Sequence, residues 1–545
     1  MNTLNERSNL EHLRKQAKDL LRAYRQRDPA ALARLRAALP VARGKSDSEL
    51  GALALRLHDM QSCIAREHGA ASWSGMKDRV ELLRAGVQDL VAALRSWLKL
   101  VYGGDVAGGP GNSKPEMAAH LLAQRPELIG EDALLACAVG EKVAVRRAIA
   151  ADAGWVNRAA GPLNIPPLIA VTHSALAKIP AFREPLLGCA QLLLESGADP
   201  DQSIGDRRPP HSLEQPGEGR LTAIYGAAGK LHDEKMLALL LAAGANPNDN
   251  ESLYHSIDDP RRDLPCMKML LEAGARVAGT NALAKILDYD HLEGLEALLA
   301  HTPHGDPDLG RILHWAIYRG RSAAHVRAIL AAGADPNTLN ADRLTAHRHA
   351  AAFGLPEVIR LLAAGGTGEP LSDGERFVIA CARADATSAR RELQAKPDMF
   401  ASLSEAQLKQ LPNLAMAGRD DAVRLMVELG WPIGIRGGDI DSSALNWAVF
   451  RGRPELVEFL LAQGASFREP HGYGSDVIGT LAWASVNEPR RDGDWPACAE
   501  ALVAHGLPPG TRLASTEPSG TLVNLRIDGR DFWFADAVAE VLLQR

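Results

Sequence analysis

Apolar positions along this chain recur with the spacing of helices that bury one face. Leu10, Leu13, Ala17, Leu20, Leu21 and Tyr24 fall three and four apart, which places them on one side of a helix. Asp28-Pro29 then starts a second helix that stops at Pro40, and Ser46-Asp-Ser-Glu49 reads as a capping box opening a third. Further on the pattern becomes a refrain. LLLESGADPD (192–201), LLLAAGANPN (239–248) and AILAAGADPN (328–337) are three versions of one phrase, with LLEAGARV (270–277) and LLAQGASF (460–467) as looser copies. Each predicts the end of a helix, a Gly free to turn left-handed, and in the closest copies an Asp/Asn-Pro turn that cannot continue the helix.

A second refrain fixes the period. Leu313-His-Trp-Ala-Ile-Tyr-Arg-Gly-Arg321 matches Leu445-Asn-Trp-Ala-Val-Phe-Arg-Gly-Arg453 at an offset of 132 positions, four times 33. Both segments resemble the first helix of the ankyrin family, T-P-L-H-x-A-A-x-x-G. Leu313, His314, Ala316 and Gly320 fall on its Leu, His, first Ala and Gly. Thr222–Ala228 and Thr345–Ala351 resemble it more loosely.

Turn glycines at 197, 244, 274, 333, 365, 430, 464 and 506 mark the units. The two widest gaps each leave room for a degenerate copy, at 294–302 and 388–400, and 131–157 reads as a unit that has lost its Gly turn. The resemblance implies an all-α, ankyrin-type solenoid of roughly ten to twelve irregular helix-turn-helix repeats. Insertions at 175–188 and 203–218 interrupt it, the second with three Pro and mixed charge, as expected of an extended finger.

This gives a helical leader at 1–102, a Gly-rich linker at 103–114, the array at 115–510 and a C-terminal cap at 511–545 that folds back over the last repeat. The leader segments LEHLRKQAKDLLRAY and AREHGAASWSGMK resemble a module found ahead of ankyrin repeats in some bacterial proteins, which implies a bacterial source. Arg14, Lys15, Lys18, Arg22, Arg25 and Arg27 give the leader a partly basic face.

Composition fits the array. Hydrophobic residues make up 46% but aromatics only 5%, so Ala and Leu carry the packing. A net charge of -6 supplies no electrostatic pull toward nucleic acid or anionic membrane. Without an apolar leader segment or a run of roughly 20 apolar residues, the expected location is the cytoplasm. The six cysteines, Cys63, Cys137, Cys189, Cys266, Cys381 and Cys498, lack metal-ligand spacing and read as packed thiols.

Candidate chemistry is thin. GGDVAGGPGNSK (103–114) lacks the Gly before its Lys and the leading strand of a phosphate loop. Seven of the 17 histidines (His291, His301, His304, His314, His325, His347, His349) lie within 59 residues, near Asp288, Asp290, Asp306 and Asp308. A metal-binding or enzymatic pocket built by residues 288–349, suited to zinc or iron, is therefore the alternative function. No nucleophile elbow or dinucleotide fingerprint is present, and no cofactor is expected.

The leading expectation is a non-enzymatic scaffold or adaptor that binds another protein. By motif position, the ankyrin resemblance implies that Trp315, Tyr318, Arg319, Trp447, Phe450 and Arg451 lie at variable positions facing the partner. Trp, Tyr and Arg are also the residue types most enriched in binding hot spots.

Overall fold

The computed structural model describes residues 10–53, 55–68, 70, 73, 76–77, 89–109, 111–261, 263–364, 370–487, 490, 492–513 and 522–543. The turn glycine expected at 365, and parts of the leader and of the C-terminal cap, lie outside the described residues. The chain forms two compact units. One spans residues 74–304, and the other combines 10–73 with 305–545.

Both units are stacks of antiparallel helix pairs. In the first unit these include Ala133–Val139 with Lys142–Ala151, Pro167–Thr172 with Pro180–Glu195, and Ala282–Asp288 with Leu292–Ala300. In the second they include Leu309–Tyr318 with Ala323–Ala331, Ala346–Ala352 with Pro356–Leu362, Asp373–Ala382 with Ala386–Ala395, Gln410–Met416 with Asp420–Glu428, Ala444–Phe450 with Pro454–Ala462, and Val477–Asn487 with Trp495–Ala504.

The recurring turn has one physical cause. Gly464 takes φ +95°, its N–H donates to the Leu461 carbonyl, and the next N–H, of Ala465, reaches back to Leu460. This closes the helix with two otherwise unsatisfied carbonyls and buries Ala465 in the core. The same turn recurs at Gly197, Gly244, Gly274, Gly333, Gly430 and Gly506.

First helices open on the motif's hydroxyl position. Thr222 accepts from the Tyr225 N–H, Thr345 from Arg348 and Ser443 from Asn446, each serving as an N-cap.

Two boundaries differ from those read in the sequence. Leu90–Tyr102 belongs to the first unit, where the Trp97 indole donates to the Ala118 carbonyl and the Tyr102 hydroxyl to Ala170. The leader proper is thus the helices Leu10–Arg25, Pro29–Ala38, Asp47–Ala52 and Leu57–Glu67. The Gly-rich stretch is not a flexible linker at its start. Gly104–Ala107 is a short, fully buried helix, tied by the Lys230 ammonium to the Asp105 carboxylate at 2.7 and 2.9 Å.

The insertion at 203–218 is anchored at its base. Ser203–Gly205 pairs antiparallel with Arg220–Thr222, and the buried Arg207 guanidinium donates to the carbonyls of Val106, Leu163 and Asn164. The insertion at 175–188 is not a loop either. It forms a 3-10 turn and the first two turns of the long helix Pro180–Glu195.

The C-terminal cap departs from all-α. Thr511–Arg512, Val523–Ile527 and Arg530–Phe534 make a three-stranded antiparallel sheet followed by the helix Asp536–Leu543. Val523, Leu525 and Ile527 alternate inward, and Asp528-Gly529, both at positive φ, make the tight hairpin turn. The leader packs beside this cap. Arg14 Nε donates to Asp536 at 2.9 Å, and Lys18 pairs with Glu540 at 2.6 Å.

Candidate functional site

The two copies of the first-helix motif place their tryptophan, their second aromatic and their arginine differently. Trp315 is half-buried, and the Arg319 guanidinium lies over its ring at 4.4 Å and over the Tyr318 ring at 5.4 Å. Arg319 also pairs with Asp439 at 2.9 Å. Tyr318 meets Phe353 edge to face, and its hydroxyl points at the Met416 sulfur, 3.6 Å away. Burial pushes the Tyr318 phenol up, so it remains a neutral donor.

Trp447, in the equivalent position, is only 4% exposed. Its indole donates to the Gly437 carbonyl at 3.2 Å, and its ring lies so close to Gly438 that a Cβ there would sit 2.6 Å from the indole nitrogen. Arg451 donates to the Met416 carbonyl at 3.0 Å, and burial works against its charge. The structure therefore brings Tyr318, Arg319 and Arg451 together around Met416.

Phe450 reaches outward and stacks on Trp483 of the next first helix, with centroids 5.4 Å apart and planes within 9°. Trp483 is 51% exposed. Its segment, VIGTLAWASVN, keeps neither the His nor the Gly of the pattern at their motif positions, so the motif does not point to it.

The first unit carries a comparable row. The His255 ring meets Tyr225 and Tyr254 edge to face, at 5.4 and 5.0 Å. The Lys285 ammonium lies 3.7 Å from the centre of the Tyr254 ring and 2.7 Å from Asp258. Burial raises the Asp258 carboxyl, but donors from His255, Lys285 and Tyr289 outweigh it and hold the group well below the usual carboxylate range. Reading these residues from sequence required knowing that successive first helices juxtapose them.

The histidine-rich segment resolves into separate structural roles. His314 Nε2 lies 2.8 Å from the Thr338 carbonyl, so this nitrogen carries the proton, and Nδ1 accepts from His349 Nδ1 at 3.0 Å. Asn446, at the same motif position four repeats later, does the equivalent. It donates to the Glu469 carbonyl at 3.0 Å and accepts from Thr480 at 2.7 Å. Both side chains hydrogen-bond one repeat to the next.

His291 accepts from the Gly294 N–H, His301 contacts the Ala297 carbonyl, and His325 bonds Ser322. Buried His347 has no hydrogen-bond partner for Nδ1, and His304 is exposed. Among the described residues, no three His, Cys, Asp or Glu side chains come together as metal ligands. All six cysteines are buried and free, and burial pushes Cys63, Cys266 and Cys381 up to about 12. Such thiols are poor nucleophiles at neutral pH.

Residues 411–461 match the family model described as ankyrin repeats (many copies). They span the helix pairs on either side of the Gly437–Ser442 hairpin, including the Asn446 bridge that stands in for the motif histidine. This segment is similar to ankyrin repeats. Among solved structures the chain is similar to the human ASB11 ankyrin repeat domain, at 19% identity over 42% of this chain and 98% of that one, with a TM-score of 0.21. It is also similar to the ankyrin repeat domain of Bcl-3, a unique member of the IkappaB protein family. Identity there is 19%, coverage 48% of this chain and 97% of that one, and the TM-score 0.22. No curated protein sequence matches it. Ankyrin repeats are generally protein–protein interaction modules, and no described helix is long and apolar enough to cross a membrane.

Proposed function

We propose that this protein is a non-enzymatic scaffold that grips a partner protein along the first-helix face of its second unit. The observation that carries this is the Phe450–Trp483 stack, with more than half of Trp483 open to solvent. Its large flat aromatic surface is pre-ordered by the ring behind it, so a partner ordering against it loses little conformational freedom. Trp315, Tyr318 and Arg319 extend the contact toward the start of the unit, Arg451 lies between, and Trp447 supports the face from behind. The partner is another protein. Nucleic acid and membrane are not expected, and the buried thiols suit a reducing cytoplasm.

The test is affinity capture from native-source extract with wild type, Trp483→Ala, and a Trp315→Ala, Arg319→Ala double variant, each checked for fold by circular dichroism. One protein captured stoichiometrically by wild type and lost from both variants supports the reading. Equal capture by all three overturns it.

A further inference from the structure

The leader has a core of its own. Leu10, Leu13, Leu20, Leu35 and Met60 are buried, and Leu10–Arg25 packs mainly on Leu57–Glu67. The adjoining core of the array runs from Ala352 to Leu542 and, among the described residues, takes no side chain from the leader.

Polar groups join the two. Arg14 Nε donates to Asp536 Oδ2 at 2.9 Å, and the Trp73 indole donates to the same oxygen at 3.3 Å. Lys18 meets Glu540 at 2.6 Å. Arg56 holds both oxygens of Asp494, at 2.9 and 3.0 Å, and extends toward Glu500 at 3.8 Å. Arg14 and Lys18 are one helical turn apart, as are Asp536 and Glu540, so two cations face two carboxylates in a fixed register. Two of the six cations on the leader's basic face, Arg14 and Lys18, are thus directed at the end of its own array, where Glu540 also meets Arg512 at 3.5 Å. A module with a core of its own, joined to the array by these ion pairs and by the packing of Leu57–Glu67 on Asp536–Leu543, can separate without opening the array core.

We propose that the leader is an exchangeable end cap, and that its second seat is the same acidic end on another copy of this chain. The occupant is specified by the charge register: cations one turn apart against Asp536 and Glu540, with Arg56 against Asp494. Nothing in that register requires both modules to belong to one chain. Exchange between two copies would reproduce every contact seen within one.

Full-length charge reversals test this. One variant carries Arg14→Glu and Lys18→Glu, a second carries Asp536→Lys and Glu540→Lys, and a third carries all four changes. The first two alone are expected as monomers of 58.3 kDa with faster amide exchange over Asp536–Leu543. Mixed together, they should form a 1:1 species of twice that mass with protection restored. The fourfold variant should remain monomeric and protected.

Two monomers that fail to associate on mixing while both exchange fast would overturn the exchange. Unchanged protection in the first two variants, or none regained in the fourfold one, would overturn the ionic clamp. None of these variants touches the Phe450–Trp483 face, so the outcome is independent of partner binding there.

Discussion

Arg14 and Asp536, separated by 522 positions in sequence, form an ion pair at 2.9 Å in which the arginine is 13% and the aspartate 7% exposed. The pair joins the first helix described to the last, and it makes the leader a lateral neighbour of the cap within one unit. Removing one partner would leave a largely desolvated charge behind. Arg14→Ala and Asp536→Ala should therefore each cost about 1–3 kcal/mol, with the double variant costing less than their sum. A double-mutant cycle in urea denaturation measures this.

Trp447 and Trp483 should separate stability from recognition. Trp447→Ala empties a buried site and should cost about 3–5 kcal/mol. Trp483→Ala loses one exposed stack and should stay within about 1 kcal/mol. Chemical denaturation of both variants gives the comparison, and similar losses would contradict the placement of Trp447 behind the face.

Lys230 and Asp105 form a buried pair in the first unit. Lys230→Met would strand the Asp105 carboxylate and should cost about 3–5 kcal/mol, much of it recovered when Asp105→Asn is added. Urea midpoints of the two variants would show the recovery.

Acid should weaken the fold through two buried histidines. Burial, then the neighbouring His314, holds His349 at about 3, and burial holds His173 at about 3. Both are neutral in the fold, whereas an unfolded histidine takes a proton below about pH 6.5. Stability is therefore complete above that pH and declines as pH falls toward 3, by up to about 1.4 kcal/mol per unit for each histidine. Denaturation midpoints between pH 7.5 and 4.5 should show this slope, and His349→Leu should flatten it by about one proton.

Gly464 tests the turn itself. Its φ is +95°, and a Cβ there would meet nothing within 4 Å, so Gly464→Ala isolates backbone strain. A loss of about 1–2 kcal/mol is expected, with Gly464→Asn costing less, as thermal denaturation would show.

That turn was legible because a left-handed position writes itself into local sequence as Gly, and so did the period it marks. Thr345 and Ser443 were likewise readable as helix starts. The hairpin at Asp528-Gly529 carried a local signal too, between alternating runs that a search for helices passed over. What remained hidden depends on distant partners. Nothing near Gly103 announces that Asp105 meets Lys230, 125 positions on. Trp315 and Trp447 occupy one motif position, yet the hairpin at Gly437-Gly438 covers only the second. The closeness of Phe450 to Trp483 follows from stacking one repeat on the next, which a single motif cannot encode.

The seating of the leader also sets an order for biosynthesis. Its helices leave the ribosome well before Asp494, Asp536 and Glu540 do. At about 5–20 residues per second the wait is on the order of 20–100 s. Throughout that interval Arg14, Lys18 and Arg56 stand without their carboxylates. Translation that stops before residue 536 would yield a leader lacking the Asp536 and Glu540 rungs of its seat, a difference that nascent-chain proteolysis would register at the moment of release.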